Sequence, residues 1–314
     1  MKLHKDQKLF SETLRAASQH LGIKEDFVEK DYWITLVLSH LAKSKYVSES
    51  VFKGGTSLSK GYGLIDRFSE DVDIAIINND AKTGNEIKNI IRTIEKEITK
   101  DLKELLLDGV TSKGSRFRKS VFEYASTDTK NKNNKLIVEV NSFANPFPYK
   151  QLEIKSFLFD FLTQTGNEKY IEEYTLEPFE VNVLNKEQTL LEKTVSLIRF
   201  SFEHNPVETI SKKIRHFYDL YFLMNDVECG LFVTSNKFKK QFQEILNHDR
   251  AMFDEPTGWQ IKSLAESPLV SDFDSIWKQL KVTYKTELTA LAYTPIPDEK
   301  KVAAKFMELL KLIQ

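Results

Sequence analysis

The apolar positions of the chain recur first at helical spacing. Leu14, Ala17 and Leu21 mark one face of an early helix, and Trp33, Val37 and Leu41 mark the next, so residues 3–43 are expected to be helical. The pattern then shifts. Asp71–Ile77 is short, β-branched and apolar at its end, and reads as a strand. Ile87–Leu107 returns to helical periodicity. Ser120–Ala125 and Leu136–Ser142 read as strands around the polar turn STDTKNKNNK, followed by Phe157–Leu162 and a further strand near Phe179–Leu184. From Lys186 onward the spacing is helical: Lys186–Phe202, Ile214–Met224, Lys237–Ile245, Phe273–Ala292 and Glu299–Ile313. This order predicts an α+β protein in three parts. They are a helical lead-in (1–45), a mixed core (46–185) and a helical C-terminal domain (186–314).

Composition narrows the chemistry. The 314 residues, 41% hydrophobic and 29% charged, suit a globular chain of two or three modules. The formal net charge of −1 excludes a body that is basic throughout, although local basic patches remain open. No run is apolar enough to cross a membrane, and MKLHKDQKLF lacks the apolar core of a signal peptide, so a cytoplasmic location is expected. The single cysteine, Cys229, and six scattered histidines leave no Cys- or His-based metal site. Metal chemistry here should use oxygen ligands.

Four of the eleven glycines fall between Phe52 and Gly63. Gly54-Gly55-Thr56-Ser57 reads as a small turn before a short helix, where backbone N–H groups and hydroxyls can approach phosphate. Asp71 and Asp73 flank Val72 in a strand, so both carboxylates project from one face. Two adjacent carboxylates repel each other, and a magnesium ion with substrate phosphates resolves the repulsion. An Asp-x-Asp alone is commonly a solvated strand edge. Its position after a glycine turn and before an apolar strand favours metal-assisted phosphoryl or nucleotidyl transfer.

Lys53–Lys60 and Arg67–Ile74 resemble the abortive-infection toxin nucleotidyltransferases of the AbiEii/AbiGii type, within the polymerase-β-like nucleotidyltransferase superfamily. Glu29-Lys30-Asp31-Tyr32-Trp33, Glu192-Lys193 and Arg215–Tyr221 resemble further motifs of that family. The resemblance spans about residues 25–225. Fifteen residues separate Gly55 from Asp71, a longer gap than is usual in the superfamily and one the narrower family shares.

The resemblance implies a polymerase-β-like core with a small mixed sheet. It implies a third acid, for which Glu139 in the alternating strand Leu136–Asn141 is the candidate; an exposed acid on a polar strand face is the alternative. Asp71, Asp73 and Glu139 would hold Mg²⁺ (two ions, with Mn²⁺ as a substitute). Gly54, Gly55, Thr56, Ser57, Lys60 and Lys193 would hold the triphosphate. Asp219 would join the active site, with Lys193 or the bound nucleotide as its partner and a surface pair to Arg215 as the alternative. Arg67 and Ser69 could contact phosphate, or Arg67 could neutralise Glu70 and Asp71. The implied activity is transfer of NMP from an NTP to RNA, most simply a tRNA 3′ end, by a toxin with a cognate antitoxin. A protein or small-molecule acceptor, or nucleotide binding without turnover, are the alternatives. Lys113–Lys119 and Lys130, Lys132 and Lys135 are candidate RNA contacts or a solvated charged face.

Overall fold

The computed structural model describes residues 1–69, 71–77, 82–127 and 134–314. The chain divides into two compact units: residues 1–63 with 68–184, and residues 64–67 with 185–314.

The first unit opens with α1 (Gln7–Leu21) and α2 (Glu25–Ala42), followed by β1 (Ser50–Lys53), α3 (Gly54–Lys60) and β2 (Asp71–Ile76). Next come α4 (Gly84–Ile98), β3 (Lys103–Leu105), β4 (Ser112–Lys113), β5 (Phe117–Glu123) and β6 (Lys135–Asn141). β7 (Tyr149–Ile154), α5 (Phe157–Gln164), α6 (Lys169–Tyr174) and β8 (Phe179–Leu184) complete it. The strands form one mixed sheet in the order β3-β5-β6-β2-β1-β8-β7, with β4 on β5. β2 runs parallel to β6, β1 runs parallel to β8, and the other pairs are antiparallel.

The sheet alternates as its pleat requires. Val72, Ile74, Leu136, Val138 and Val140 are buried, while Asp71, Asp73 and Glu139 are half-buried between them. The apolar face is covered by α4, whose stripe Ile87, Ile90, Ile91, Ile94 and Ile98 is buried. A capping box between Thr83 and Glu86 starts that helix. It ends at Ile98 rather than continuing to Leu107, because Lys103–Leu105 is drawn into the sheet beside β5. β7 has no counterpart in the sequence pattern. Its burial is irregular, with only Ile154 fully buried, so its sequence lacks a clean period-two signal.

α2 is buried along most of its length, including three charged side chains, Glu29, Lys30 and Asp31. Glu29 accepts from Ser126 Oγ and Thr127 N, each at 2.7 Å. Asp31 pairs with Lys60 Nζ at 2.6 Å and accepts from the Phe157 backbone N at 2.8 Å. α2 thereby ties together α3, α5 and the end of the β5 hairpin. Trp33 stacks on Tyr124 with ring centroids 5.4 Å apart.

The second unit contains α7 (Lys186–Ser201), α8 (Pro206–Ser211), α9 (Arg215–Asn225), α10 (Val227–Val233) and α11 (Phe238–Met252), then α12 (Pro268–Ser271), α13 (Phe273–Leu291) and α14 (Glu299–Ile313). Phe217, Phe273, Trp277 and Phe306 form its aromatic centre. Residues 64–67 are held against the end of α13: Arg67 bridges Ala292, and Tyr293 N donates to the Asp66 carbonyl at 3.0 Å.

Asp31 and Lys60 are both almost fully buried, so removing either charge strands the other. Lys60→Met is expected to cost about 3 kcal/mol of stability, read as a lowered urea midpoint with an unchanged slope.

Candidate active site

The Gly54-Gly55 pair is not a turn ahead of a helix; it is the first turn of α3 itself. Gly54 has φ +79°, and a Cβ built there would overlap Asp73 Oδ2. Glycine is thus required twice, by the left-handed backbone and by the carboxylate seated against it. The hydroxyls expected to face phosphate are turned into the fold. Thr56 Oγ1 donates to the Asp71 carbonyl, Ser57 Oγ donates to the Gly54 carbonyl at 2.8 Å, and both residues are buried. Thr56 thereby fastens α3 to β2, and Ser57 closes the first turn of α3 on itself. Gly55 is half-buried in the same turn. Lys60 is committed to Asp31 and to the Lys155 carbonyl.

Register sets the acid cluster. Asp73 lies opposite Glu139 on the parallel neighbour β6, and Asp71 lies two residues earlier on the same face. Glu139 in turn lies opposite Lys119 on β5, and Lys119 Nζ is 2.6 Å from Glu139 Oε1. On the other side, Lys53 of β1 lies opposite Asp73. One row across four strands therefore reads Lys53, Asp73, Glu139, Lys119. Burial works to lower the Lys119 pKa, but Glu139, and then Asp71 and Asp73, outweigh it and raise it.

Asp71, Asp73 and Glu139 are hard oxygen donors of the type magnesium takes, and they share one sheet face. Among the described residues, no three His, Cys, Asp or Glu side chains are gathered as a metal-holding group. The donor set fits a divalent cation in chemistry and in strand register, with Glu139 engaged by Lys119.

Lys193, Asp219 and Arg67 form a second cluster, within the helical unit. Asp219 is fully buried on α9. It accepts from Arg67 Nε at 2.7 Å and Nη2 at 2.6 Å, and pairs with Lys193 Nζ of α7 at 2.8 Å. Its partners are these two rather than Arg215. Burial alone would push its carboxyl up, but Arg67 and Lys193 hold it well below the usual carboxylate range. His216, beside this cluster, is held neutral by burial and by Lys193. Arg67 is itself only 3% exposed, so it serves Asp219 and is not set out towards phosphate. Ser69 is buried, and Glu70 lies outside the described residues.

The expected basic stretch is largely spoken for. Lys113 pairs with Glu104 at 2.5 Å, Arg118 binds the buried Glu95 of α4, and Lys119 serves Glu139. Lys130 and Lys132 lie outside the described residues, while Arg116 and Lys135 are exposed.

The family described as nucleotidyl transferase AbiEii toxin, of type IV toxin–antitoxin systems, matches residues 36–306. The chain belongs to this family. It is a nucleotidyltransferase toxin, which uses an NTP and has a cognate antitoxin. No curated protein sequence matches it. Seven chains of solved structures do. One is MenT4, a nucleotidyltransferase toxin from Mycobacterium tuberculosis H37Rv, with a TM-score of 0.49 and 14% identity, covering 96% of this chain and 99% of that one. No helix among the toxin's described residues is long and apolar enough to cross a membrane.

Two outcomes follow for the toxin. Gly54→Ala should push the Asp73 carboxylate aside and strain the left-handed backbone, at a cost of about 1–2 kcal/mol, read as a lowered urea midpoint with helix content by circular dichroism kept. Asp219→Asn should destabilise the toxin at neutral pH. Because the folded carboxyl lies below its unfolded value, its contribution is complete above about pH 4. The stability gap to wild type should therefore hold from pH 8 to 5 and shrink only as the pH falls further.

Proposed function

We propose that the toxin transfers NMP from an NTP to a hydroxyl of RNA, most simply a tRNA 3′ end, with a divalent cation at Asp71, Asp73 and Glu139. The observation that carries this reading is the direct register of Asp73 with Glu139, with Asp71 on the same face and Gly54 cleared for the Asp73 carboxylate. Three carboxylates on one sheet face offer the hard oxygen donors a divalent cation takes. Magnesium is the first choice, for its preference for carboxylates plus phosphates, and manganese suits the same oxygen donors. When bound, the ion would neutralise charge on the triphosphate and on the leaving pyrophosphate.

The chain's own part is positioning. The first turn of α3 seats Gly54 against the Asp73 carboxylate. Glu139 takes the proton of the acceptor hydroxyl as its oxygen attacks the α-phosphorus. The α–β phosphoanhydride bond breaks and pyrophosphate leaves. Exposed Arg116 and Lys135, in the same unit as the acids, support a polyanionic acceptor. A cytoplasmic site of action is part of the same proposal, since that is where tRNA and NTPs meet.

The test incubates the protein with Mg²⁺, each α-³²P-labelled NTP and total RNA, resolved on a denaturing gel. A labelled tRNA-sized band is expected. It should fall at least about 100-fold in Asp73→Asn, equivalent to roughly 3 kcal/mol of transition-state stabilisation. A label that survives RNase would move the acceptor to protein. Equal labelling by Asp73→Asn would overturn the assignment of the acids.

A further inference from the structure

Lys119 occupies an unusual place for a lysine. It lies directly across from Glu139, in the same cross-strand row as Asp73, and its Nζ is 2.6 Å from the Glu139 carboxylate. It feels Asp71 and Asp73 as well as Glu139. Lys53 stands at the other end of the row, opposite Asp73. The acid pair thus lies between two lysines in the row, of which Lys119 is ion-paired to Glu139. Like charges directly opposed across strands destabilise a sheet, and opposite charges in the same positions stabilise it. The order cation, acid, acid, cation lets β2 and β6 pair in register without a metal.

We propose that Lys119 is a resident counter-cation that competes with divalent metal for Glu139, so that metal binds weakly to the free enzyme and firmly only together with the nucleotide. The proposal rests on the reading that Asp71, Asp73 and Glu139 hold a divalent cation. An ion that takes Glu139 as a ligand must first part it from Lys119. Lysine suits this role because its charge is a compact point on a flexible stem, and the side chain here is 29% exposed. Incoming phosphates offer the displaced ammonium a new partner, so the nucleotide lowers the cost of parting the pair. By linkage, the metal then favours the nucleotide to the same degree as the nucleotide favours the metal. Lys119 is a positioning residue on this account, setting when Glu139 becomes available.

The experiment measures Mn²⁺ binding by electron paramagnetic resonance, with and without a non-hydrolysable NTP analogue, for wild type, Lys119→Met and Lys119→Arg. Lys119→Met keeps the apolar stem and removes the charge. It should bind Mn²⁺ without nucleotide roughly five- to ten-fold more tightly than wild type, as one positive charge leaves the acid cluster. Its gain from added nucleotide should shrink by the same factor. Lys119→Arg should stay near wild type, since the counter-charge is kept, and thermal melts confirm that each variant is folded. If all three bind Mn²⁺ with nucleotide, and Lys119→Met binds no more tightly than wild type without it, the competition is refuted and the metal site stands. If wild type and variants bind no Mn²⁺ even with nucleotide, the metal reading falls and the competition falls with it.

Discussion

The sheet is organised around a repulsion. Asp73 and Glu139 sit side by side on parallel strands, and Asp71 adds a third acid to the same face. Nothing about strand pairing favours this. It persists because the opposite face of the same two strands is bound into the core. Val72 with Val138, and Ile74 with Val140, are register partners under α4. A slip of one residue would bring these apolar chains out and take the acids in, at a cost far above that of like charges on a half-open face. The hydrophobic face thus holds the acids together against their own preference, and the flanking lysines moderate what remains.

The same logic explains the buried charges of α2. Glu29 and Asp31 are acids in a core helix, and each is matched to donors from distant segments: Ser126 and Thr127 for one, Lys60 and Phe157 for the other. These bonds hold the ends of the β5 hairpin and of α3, the two elements that border the acid face. Lys60 lies in the glycine-led segment, yet its charge is used to anchor α3 from behind. Rigidity around a site of opposed charges has to come from such fully satisfied partners, because a half-satisfied one would add its own instability.

Much of this is legible in the sequence. The Asp-Val-Asp strand, the alternation of Leu136–Asn141 and the long helices after Lys186 all carry periodic signals strong enough to place them. The end of α4 is not legible, because Leu102, Leu105 and Leu106 extend the helical spacing past Ile98, and only pairing with β5 shows that the chain has become a strand. Lys119 reads in the sequence only as one cation in a basic run. Its role depends on which residue lies across from it, and cross-strand register is not encoded in local spacing. The hydroxyls of Thr56 and Ser57 mislead for a related reason: a Gly-Gly-Thr-Ser word suits a phosphate turn or a helix start equally well, and the Thr56 hydroxyl is turned to the Asp71 carbonyl of β2 and that of Ser57 to the Gly54 carbonyl of its own helix.

Arg67 shows how a long-range partner changes the meaning of a motif. By sequence it belongs with the acids, four residues before Asp71. Its side chain instead lies in the helical unit, in a bidentate pair with Asp219. The chain therefore enters the helical unit for residues 64–67 and returns to the sheet unit immediately before β2. The grip on Arg67 is unequal among its partners. Removing Lys193 leaves the Arg67–Asp219 fork intact, with one cation still on the carboxylate. Removing the Asp219 charge takes from two buried cations the acid they share, which is the more costly change by several kcal/mol.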